Sequence, residues 1–121
     1  MNHTLLYIED NESNISLIEA LLRRRPQIDL HVAMNGRDGV RAAMDVQPGL
    51  ILLDNRLPDA TGSQILQELA SASATATIPV VVLSGDSDEV IDELLAKGAA
   101  ESVGKPFNLR QFMGIIDRYL P

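Results

Sequence analysis

Polar side chains that could take part in chemistry stand at the ends of four of the five short apolar runs in this sequence. Glu9 and Asp10 follow the first run, and Asp54 follows the third. Ser84 follows the fourth run, and Lys105 lies just after the fifth. A single residue of this kind would mean little, because loop residues are usually polar. Because four of the runs end in such a polar residue, we expect these residues to act together.

Three of these residues, Glu9, Asp10 and Asp54, are acidic, and their chemistry follows from their charge. Carboxylates that converge repel one another, so they need a cation or raised pKa values to coexist. A small set of hard oxygen ligands suits Mg²⁺, which usually keeps some of its waters and contacts a phosphate oxygen. A carboxylate beside such a metal can accept a phosphoryl group as an acyl phosphate, and we assign this role to Asp54. The metal, the Lys105 ammonium and the Ser84 hydroxyl would share the charge on the phosphoryl oxygens.

The apolar runs alternate with stretches of helical periodicity, and no linker or internal repeat interrupts them. The runs predict strands at Thr4–Ile8, Leu30–Ala33, Leu50–Leu53, Ile78–Leu83 and Ala100–Val103. The first three predicted helices extend from about Glu12 to Arg24, from Gly36 to before Pro48, and from Gly62 to Ser71. Asp86 and Glu89 have the spacing of a capping box ahead of a fourth helix, which should stop at Gly98, and the fifth begins after the N-cap Asn108. Right-handed crossovers between such strands require a parallel sheet that helices cover on both faces. The predicted fold is a doubly wound α/β domain of five strands and five helices, in which ligands bind at the carboxyl ends of the strands.

The last helix carries clear boundary signals. Asn108 is a suitable N-cap with Gln111 as its partner three residues later, and Phe107 and Phe112 have the spacing of a hydrophobic staple. The expected inner face of this helix comprises Leu109, Phe112, Met113, Ile116 and Leu120.

Composition excludes several kinds of protein. With 121 residues, 45% of them hydrophobic, the chain is expected to form one domain over residues 1–121. The absence of cysteine excludes disulfides, thiolate metal sites and cysteine nucleophiles. The methionines Met34, Met44 and Met113 are expected to fill gaps in the core.

The charge of the chain bears on its partners and location. A formal net charge of -7 repels nucleic acid and anionic membrane surfaces, so we expect no direct binding to either. No apolar run approaches the ~20 residues of a membrane span, and the first residues are too polar for a signal peptide. We therefore expect a cytoplasmic protein.

Taken together, these segments resemble the receiver domains of two-component response regulators, such as the chemotaxis regulators. The matching segments are LYIEDN at 6–11, LILLDNRLPDATG at 50–62, PVVVLSG at 79–85 and the triplet KPF at 105–107, and the resemblance covers essentially the whole chain. It implies the flavodoxin-like strand order 2-1-3-4-5. The opening LYIEDNESN is most similar to receivers attached to hybrid sensor histidine kinases.

The resemblance implies a role for each acidic residue. Asp54 matches the phosphoacceptor, and Glu9 and Asp10 match the acidic pair that binds Mg²⁺. The backbone carbonyl of Arg56 would complete the protein ligands of the metal. The phosphoryl group would come from a phosphohistidine of a histidine kinase or a histidine phosphotransfer domain. Such a domain is regulatory rather than an enzyme and promotes its own phosphorylation and dephosphorylation, although a hybrid kinase that contained it would be an enzyme.

Other matches concern the response to phosphorylation. Ser84 occupies the position of the switch hydroxyl, and Lys105 that of the family's lysine. Ser102 stands where receivers usually have Tyr or Phe, so the usual aromatic switch is missing. Asn55 and Arg56 also depart from the pattern, which bears on output coupling and phosphate lifetime. A homodimer through the fourth helix, fifth strand and fifth helix is a further expectation.

Three alternative kinds of protein fit these residues less well. A degenerate receiver would act only as a protein-binding module, but the intact set of five site residues argues against it. A flavin-binding protein would need a phosphate loop after the first strand, which this chain lacks. A dedicated aspartyl phosphohydrolase would need a second acid where Arg56 stands.

Overall fold

Five parallel strands form one sheet in the computed structural model, which describes residues 2–85, 88–104 and 108–121. The described elements are, in chain order, β1 (Thr4–Ile8), α1 (Glu12–Leu22), β2 (Asp29–Ala33), α2 (Gly36–Val46), β3 (Leu50–Asp54), α3 (Gly62–Ser71), β4 (Val80–Ser84), α4 (Asp88–Ala96), β5 (Glu101–Gly104) and α5 (Leu109–Tyr119). The strand order is β2-β1-β3-β4-β5. The predicted fold and the order implied by the resemblance are both confirmed.

The two faces of the sheet carry separate hydrophobic clusters. Residues 5 and 7 of β1 pack into the cluster that α1 and α5 cover, and residues 6 and 8 pack into the cluster beneath α2, α3 and α4. Every residue of β3 and of β4 is buried, because these strands have helices on both faces and a strand on each side. This sandwich fixes the positions of the strand ends.

Side chains in the preceding loops begin four of the helices. Asn11, Asn35, Thr61 and Asn108 each accept a hydrogen bond from the backbone N–H three residues later. The Asn108–Gln111 capping box is confirmed, because each side chain bonds the other residue's backbone N–H. The predicted contributions of Asp86 and Phe107 lie outside the described residues.

Several element boundaries differ from their predictions. Strand β2 begins one residue earlier, at Asp29, and β3 and β4 each end one residue later, at Asp54 and Ser84. Helix α1 ends at Leu22 rather than near Arg24, because the backbone closes into a turn in which Arg25 N donates to Leu22 O at 2.9 Å. Strand β4 begins at Val80 rather than Ile78, because Ile78 N donates to Thr75 O in the preceding turn. Strand β5 is displaced by one residue and begins at Glu101.

Three side chains expected in the core are exposed. Met34 and Met44 are 43% and 42% exposed, and Leu109 is 37% exposed. Met34 directly follows the edge strand β2, Met44 lies on the outer side of α2, and Leu109 is the first residue of α5. Met113 does pack against the α1–α5 cluster.

Candidate functional site

Three carboxylates meet where β1 and β3 end. Glu9 and Asp10 follow β1 directly, and Asp54 is the last residue of β3. Parallel pairing of Ile8 with Leu53 places these two strand ends side by side. One oxygen from each of the three carboxylates lies within 4.8 Å of the others. Glu9 is fully buried, Asp54 is 8% exposed and Asp10 is exposed, so the cluster extends from the interior to the surface.

The Glu9 carboxylate is tied to the helix that follows it. Asn14 Nδ2, in the first turn of α1, donates a hydrogen bond to Glu9 Oε1. The Tyr7 side chain, two residues earlier on β1, is 1% exposed and lies near the Glu9 carboxylate. Burial raises the pKa of Tyr7 well above its usual value, and the negative charges of Glu9 and Asp54 raise it further. Sequence reasoning missed Asn14, and its spacing from Glu9 is the signal that points to it.

The chain leaves Asp54 through a tightly closed loop. Arg56 N donates to Asp54 Oδ1 at 3.4 Å, and Gly62 N donates to Asn55 O at 2.9 Å where α3 begins. A side chain on Gly62 would come within 2.6 Å of Asn55 Oδ1, so this close approach requires glycine. Arg56 and Thr61 form an isolated antiparallel bridge across the loop. The loop therefore holds the backbone of Arg56 beside Asp54.

Asp59 fastens the same loop to a second helix. Its carboxylate accepts hydrogen bonds from Gly36 N at 2.7 Å and from Arg37 N at 3.0 Å, at the start of α2. These two bonds lower the pKa of Asp59 below its usual value. An acid suits this position, because helix N-termini carry unpaired N–H groups and partial positive charge. The residues after Asp54 are thus tied to both α2 and α3.

Ser84 lies at the same edge of the sheet. It is the last residue of β4 and 2% exposed, and it directly follows Leu83, which pairs with Asp54. Its partner on β5 is Gly104. Lys105, the next residue in the chain, lies outside the described residues. Of the five polar residues predicted at strand ends, the structure therefore places four at one edge.

Ser102 lies further from that edge. It pairs with Val82, two positions before Ser84 on β4. Its hydroxyl oxygen is buried and has no hydrogen-bond partner among the described residues. The neighbouring Glu101 accepts hydrogen bonds from Arg118 at 2.8 Å and from the Tyr119 hydroxyl at 2.6 Å, which ties β5 to the end of α5.

The donor set of the acidic cluster fits a hard divalent cation. Carboxylate oxygens are the ligands that Mg²⁺ prefers, and three negative charges this close repel one another unless a cation offsets them. The exposed carboxylate of Asp10 gives solvent access to the cluster. Glu9, Asp10 and Asp54 could therefore hold a magnesium ion.

The family model of the response regulator receiver domain matches residues 5–117. The chain belongs to this family. Receiver domains work in two-component signalling and interact with histidine kinases, so this receiver domain has a regulatory role. In the described part of the receiver domain, no helix combines the length and hydropathy needed to cross a bilayer.

Relatives of this receiver domain are of two kinds. It is 31% identical over 110 residues to "Histidine kinase P4" of Formosa agariphila. The matched region covers 90% of this chain but 8% of that protein. It is 26% identical over 121 residues to the polar-differentiation response regulator DivK of Brucella anthropi, covering 99% of this chain and 98% of DivK. The receiver domain thus matches a small segment of a large kinase and nearly all of a small regulator.

One solved structure is informative about the metal. The receiver domain of the sensor histidine kinase PA1611 from Pseudomonas aeruginosa superposes with a TM-score of 0.87 at 27% identity, covering 98% of each chain. That structure has a magnesium ion coordinated in its active site cleft.

Proposed function

We propose that this receiver domain is a phosphoacceptor that takes a phosphoryl group from a phosphohistidine onto Asp54 with the aid of Mg²⁺. The donor would be a histidine kinase or a histidine phosphotransfer domain. The observation that carries the proposal is the convergence of the Glu9, Asp10 and Asp54 carboxylates at the ends of β1 and β3. The metal ligands and the nucleophile then lie next to one another at the same edge of the sheet.

The transfer needs one bond to form and one to break. An Asp54 carboxylate oxygen attacks phosphorus, the bond between phosphorus and the donor imidazole nitrogen breaks, and an acyl phosphate remains on Asp54. The donor nitrogen keeps the electron pair of that bond. The Ser84 hydroxyl can donate a hydrogen bond to a phosphoryl oxygen, and the Lys105 ammonium can offset its charge.

We assign the metal to Glu9, Asp10 and Asp54, with the backbone carbonyl of Arg56 as a further ligand. The closed loop supports this assignment, because it holds the backbone of Arg56 next to Asp54. When bound, Mg²⁺ would neutralise part of the charge that a phosphate group brings to these carboxylates.

The proposal also covers how this domain is used. As a regulatory domain it would promote its own phosphorylation and dephosphorylation. Residues 1–121 would act as one domain in the cytoplasm without touching nucleic acid, in keeping with the net charge of -7. Pairing of two copies through α4, β5 and α5 stays a prediction.

The test is the mass of the intact protein after incubation with acetyl phosphate and Mg²⁺. The wild-type chain should gain the mass of one phosphoryl group, and chelation of the metal should prevent the gain. Asp54→Asn should abolish it, whereas Asp45→Asn, at an exposed acid of α2, should leave it unchanged. Modification that persists in Asp54→Asn would refute the assignment. A wild-type chain that gains no mass would instead be a degenerate receiver that acts as a binding module.

A further inference from the structure

We propose that Asp59 is a positioning residue that fastens the loop between β3 and α3 to the start of α2 and thereby orients the backbone carbonyl of Arg56 for Mg²⁺. The inference rests on the proposed metal-binding function, in which that carbonyl is a ligand, and adds a residue outside the ligand set. We call the two hydrogen bonds from Gly36 N and Arg37 N to the Asp59 carboxylate the α2 latch.

The direction of the Arg56 carbonyl is set by a hydrogen bond on the other side of the same peptide unit. The C=O of Arg56 and the N–H of Leu57 belong to one planar unit, and in a trans peptide they point in opposite directions. Leu57 N donates to Ala60 O at 3.2 Å. Because this N–H points toward Ala60, the Arg56 carbonyl points away from it. A shift of Ala60 would therefore turn the carbonyl.

Other contacts of the loop fix its shape. Arg56 and Thr61 form the antiparallel bridge across it, and Gly62 N donates to Asn55 O where the loop meets α3. These contacts join residues of the loop and its two ends to one another. They do not connect the tip of the loop, at Asp59, to a neighbouring element.

The α2 latch makes that connection. Asp59 Oδ1 accepts a hydrogen bond from Gly36 N at 2.7 Å, and Oδ2 accepts one from Arg37 N at 3.0 Å. Bonds to both oxygens fix the rotation of the carboxylate as well as its position. First-turn N–H groups have no partner inside their own helix and lie at its positive end, so they favour an ionised acid as acceptor. Asp59 directly precedes Ala60, so the α2 latch holds the residue that directs the Arg56 carbonyl.

The start of α2 is a firm support for the α2 latch. Gly36 is buried, and a Cβ atom on it would lie 3.0 Å from Ala60 Cβ and 3.2 Å from Asp59 Oδ1. Asn35 Oδ1 accepts a hydrogen bond from Asp38 N at 2.8 Å, which caps the same turn. The helix start therefore packs directly against the loop, and a larger residue at position 36 would push the two apart.

A carbonyl that is oriented beforehand favours Mg²⁺ binding. Mg²⁺ demands near-ideal octahedral geometry with short bonds. A ligand that is already held in place does not have to be ordered when the ion binds, so less of the binding free energy is lost. Without the α2 latch, Ala60 and the peptide unit between Arg56 and Leu57 would sample other orientations. We expect the α2 latch to strengthen Mg²⁺ binding about tenfold, the usual effect of a residue that orients a metal ligand.

Calorimetry of the unphosphorylated domain measures this effect. Asp59→Ala should bind Mg²⁺ about tenfold more weakly than wild type. Asp59→Asn should have an intermediate affinity, because its single amide oxygen can replace only one of the two carboxylate acceptors. Circular dichroism at the temperature of the titration verifies that each variant is folded.

Two changes at the same helix start are matched controls. Asn35→Ala removes the other side-chain acceptor of this turn, which Asp38 N bonds, but leaves the loop untouched. Asp38→Asn removes one negative charge, as Asp59→Asn does, but keeps the α2 latch. Both controls should keep the wild-type Mg²⁺ affinity. A merely structural role of Asp59 would make Asn35→Ala bind as weakly as Asp59→Ala, and a mere charge effect would make Asp38→Asn bind as weakly as Asp59→Asn.

Amide exchange in the wild-type chain tests the α2 latch without any substitution. If the closed latch raises Mg²⁺ affinity about tenfold, saturating Mg²⁺ must favour the closed latch over the open one by the same factor. Exchange of the Gly36 and Arg37 amides, measured by NMR, should therefore slow by up to about tenfold when Mg²⁺ is added. The Asp38 amide, which bonds Asn35 in the same turn, should slow clearly less.

Each outcome decides between the two proposals. Wild-type Mg²⁺ affinity in folded Asp59→Ala, an equal loss in either control, or Gly36 and Arg37 amides that slow no more than that of Asp38 would overturn the positioning role of Asp59. Each of these results would leave the phosphoacceptor proposal intact. A wild-type chain that neither binds Mg²⁺ nor accepts a phosphoryl group would overturn the proposed function, and the positioning role with it.

Discussion

At the scale of single residues, Asp59 offers a test with a defined pH dependence. Its bonds to Gly36 N and Arg37 N lower its pKa in the folded chain. A carboxyl with a lowered folded pKa contributes stability that is fully present above its unfolded pKa of about 3.9 and is lost as the pH falls through the folded value. Asp59→Ala should therefore unfold at a lower temperature than wild type at pH 7, and the difference should shrink below about pH 4.

Thermal melts monitored by circular dichroism at several pH values would measure this effect. Asp45→Ala, at an exposed acid of α2, should show no such trend. A destabilisation of Asp59→Ala that stayed constant into strong acid would contradict the role given to its two hydrogen bonds.

The residues of the acidic cluster could be predicted because each is fixed by the strand before it. Once β1 and β3 are assigned, parallel pairing brings Glu9, Asp10 and Asp54 to one edge. The contact of Asn14 with Glu9 could not be predicted, because it depends on how far a side chain reaches from the helix to the end of the strand. Periodicity identifies the face on which a residue lies but not the atom that it contacts.

At the scale of elements, two helix glycines should respond in opposite ways to the same change. Gly114 lies inside α5, and no atom of the described residues comes within 4 Å of an added methyl, so Gly114→Ala should stabilise the fold by about 0.5–1 kcal/mol. Gly39 lies inside α2, where a methyl would come within 2.6 Å of Ile8 Cδ1. Gly39→Ala should destabilise, because overpacking a well-filled core costs roughly 1–3 kcal/mol.

Urea unfolding of the two alanine variants and wild type would measure both free energies. Each variant serves as the other's control, because the gain in helix propensity is common to both and only the packing differs. Stabilisation of both variants would mean that Ile8 can move aside, so that α2 would not be closely packed on β1.

Strand β5 bears on how phosphorylation would be transmitted. A shift between two conformations needs a difference in interaction energy, and Ser102 lacks the bulk that an aromatic ring would supply. Glu101 already ties β5 to Arg118 and Tyr119. We therefore predict that a phosphoryl mimic such as beryllium fluoride perturbs the loops near Asp54 and only weakly perturbs the face formed by α4, β5 and α5.

Amide NMR spectra with and without beryllium fluoride would test this prediction. Ser102→Tyr should extend the perturbation along β5 and α5. Large shifts through Ser102 and α5 in the wild-type chain, with no further change in Ser102→Tyr, would show that this face switches without an aromatic side chain.

The elements themselves could largely be predicted, because apolar periodicity and capping residues fix most of them. The bounds of α3 agree residue for residue with the prediction, and Thr61 caps it. The errors arise where tertiary contacts override local pattern. Ile78 is predicted to lie in a strand but closes a turn. Met34 and Met44 are predicted to lie in the core but are exposed. Which side of a helix faces outward depends on neighbours that the local sequence does not specify.

At the scale of the whole molecule, the acidic cluster should lower the stability of the metal-free protein. Three carboxylates within 4.8 Å repel one another in the folded state and separate on unfolding. In the absence of metal, Asp54→Asn should therefore melt higher than wild type by roughly 4 °C, the shift expected for about 1 kcal/mol. If Mg²⁺ binds the folded state alone, as the proposed function requires, it should add about 2.7 kcal/mol to the stability of wild type at a hundred times its Kd.

Scanning calorimetry with and without Mg²⁺ would compare the two proteins. The increase in melting temperature on adding Mg²⁺ should be much smaller in Asp54→Asn, and Asp45→Asn should behave like wild type in both conditions. An equal increase in wild type and Asp54→Asn would mean that the stabilising ion binds elsewhere.

The strand order has a consequence for local opening of the native state. Strand β1 lies between β2 and β3, whereas β5 has four residues, is partly exposed and pairs with β4 alone among the described strands. Backbone amides of β1 and β3 should therefore exchange with deuterium only on global unfolding, while those of β5 exchange through partial openings that require less free energy. The strands that carry the three carboxylates would then stay closed while the far edge of the sheet opens and recloses. Hydrogen exchange followed by mass spectrometry would show this gradient as slow uptake at 4–8 and 50–54 and faster uptake at 101–104.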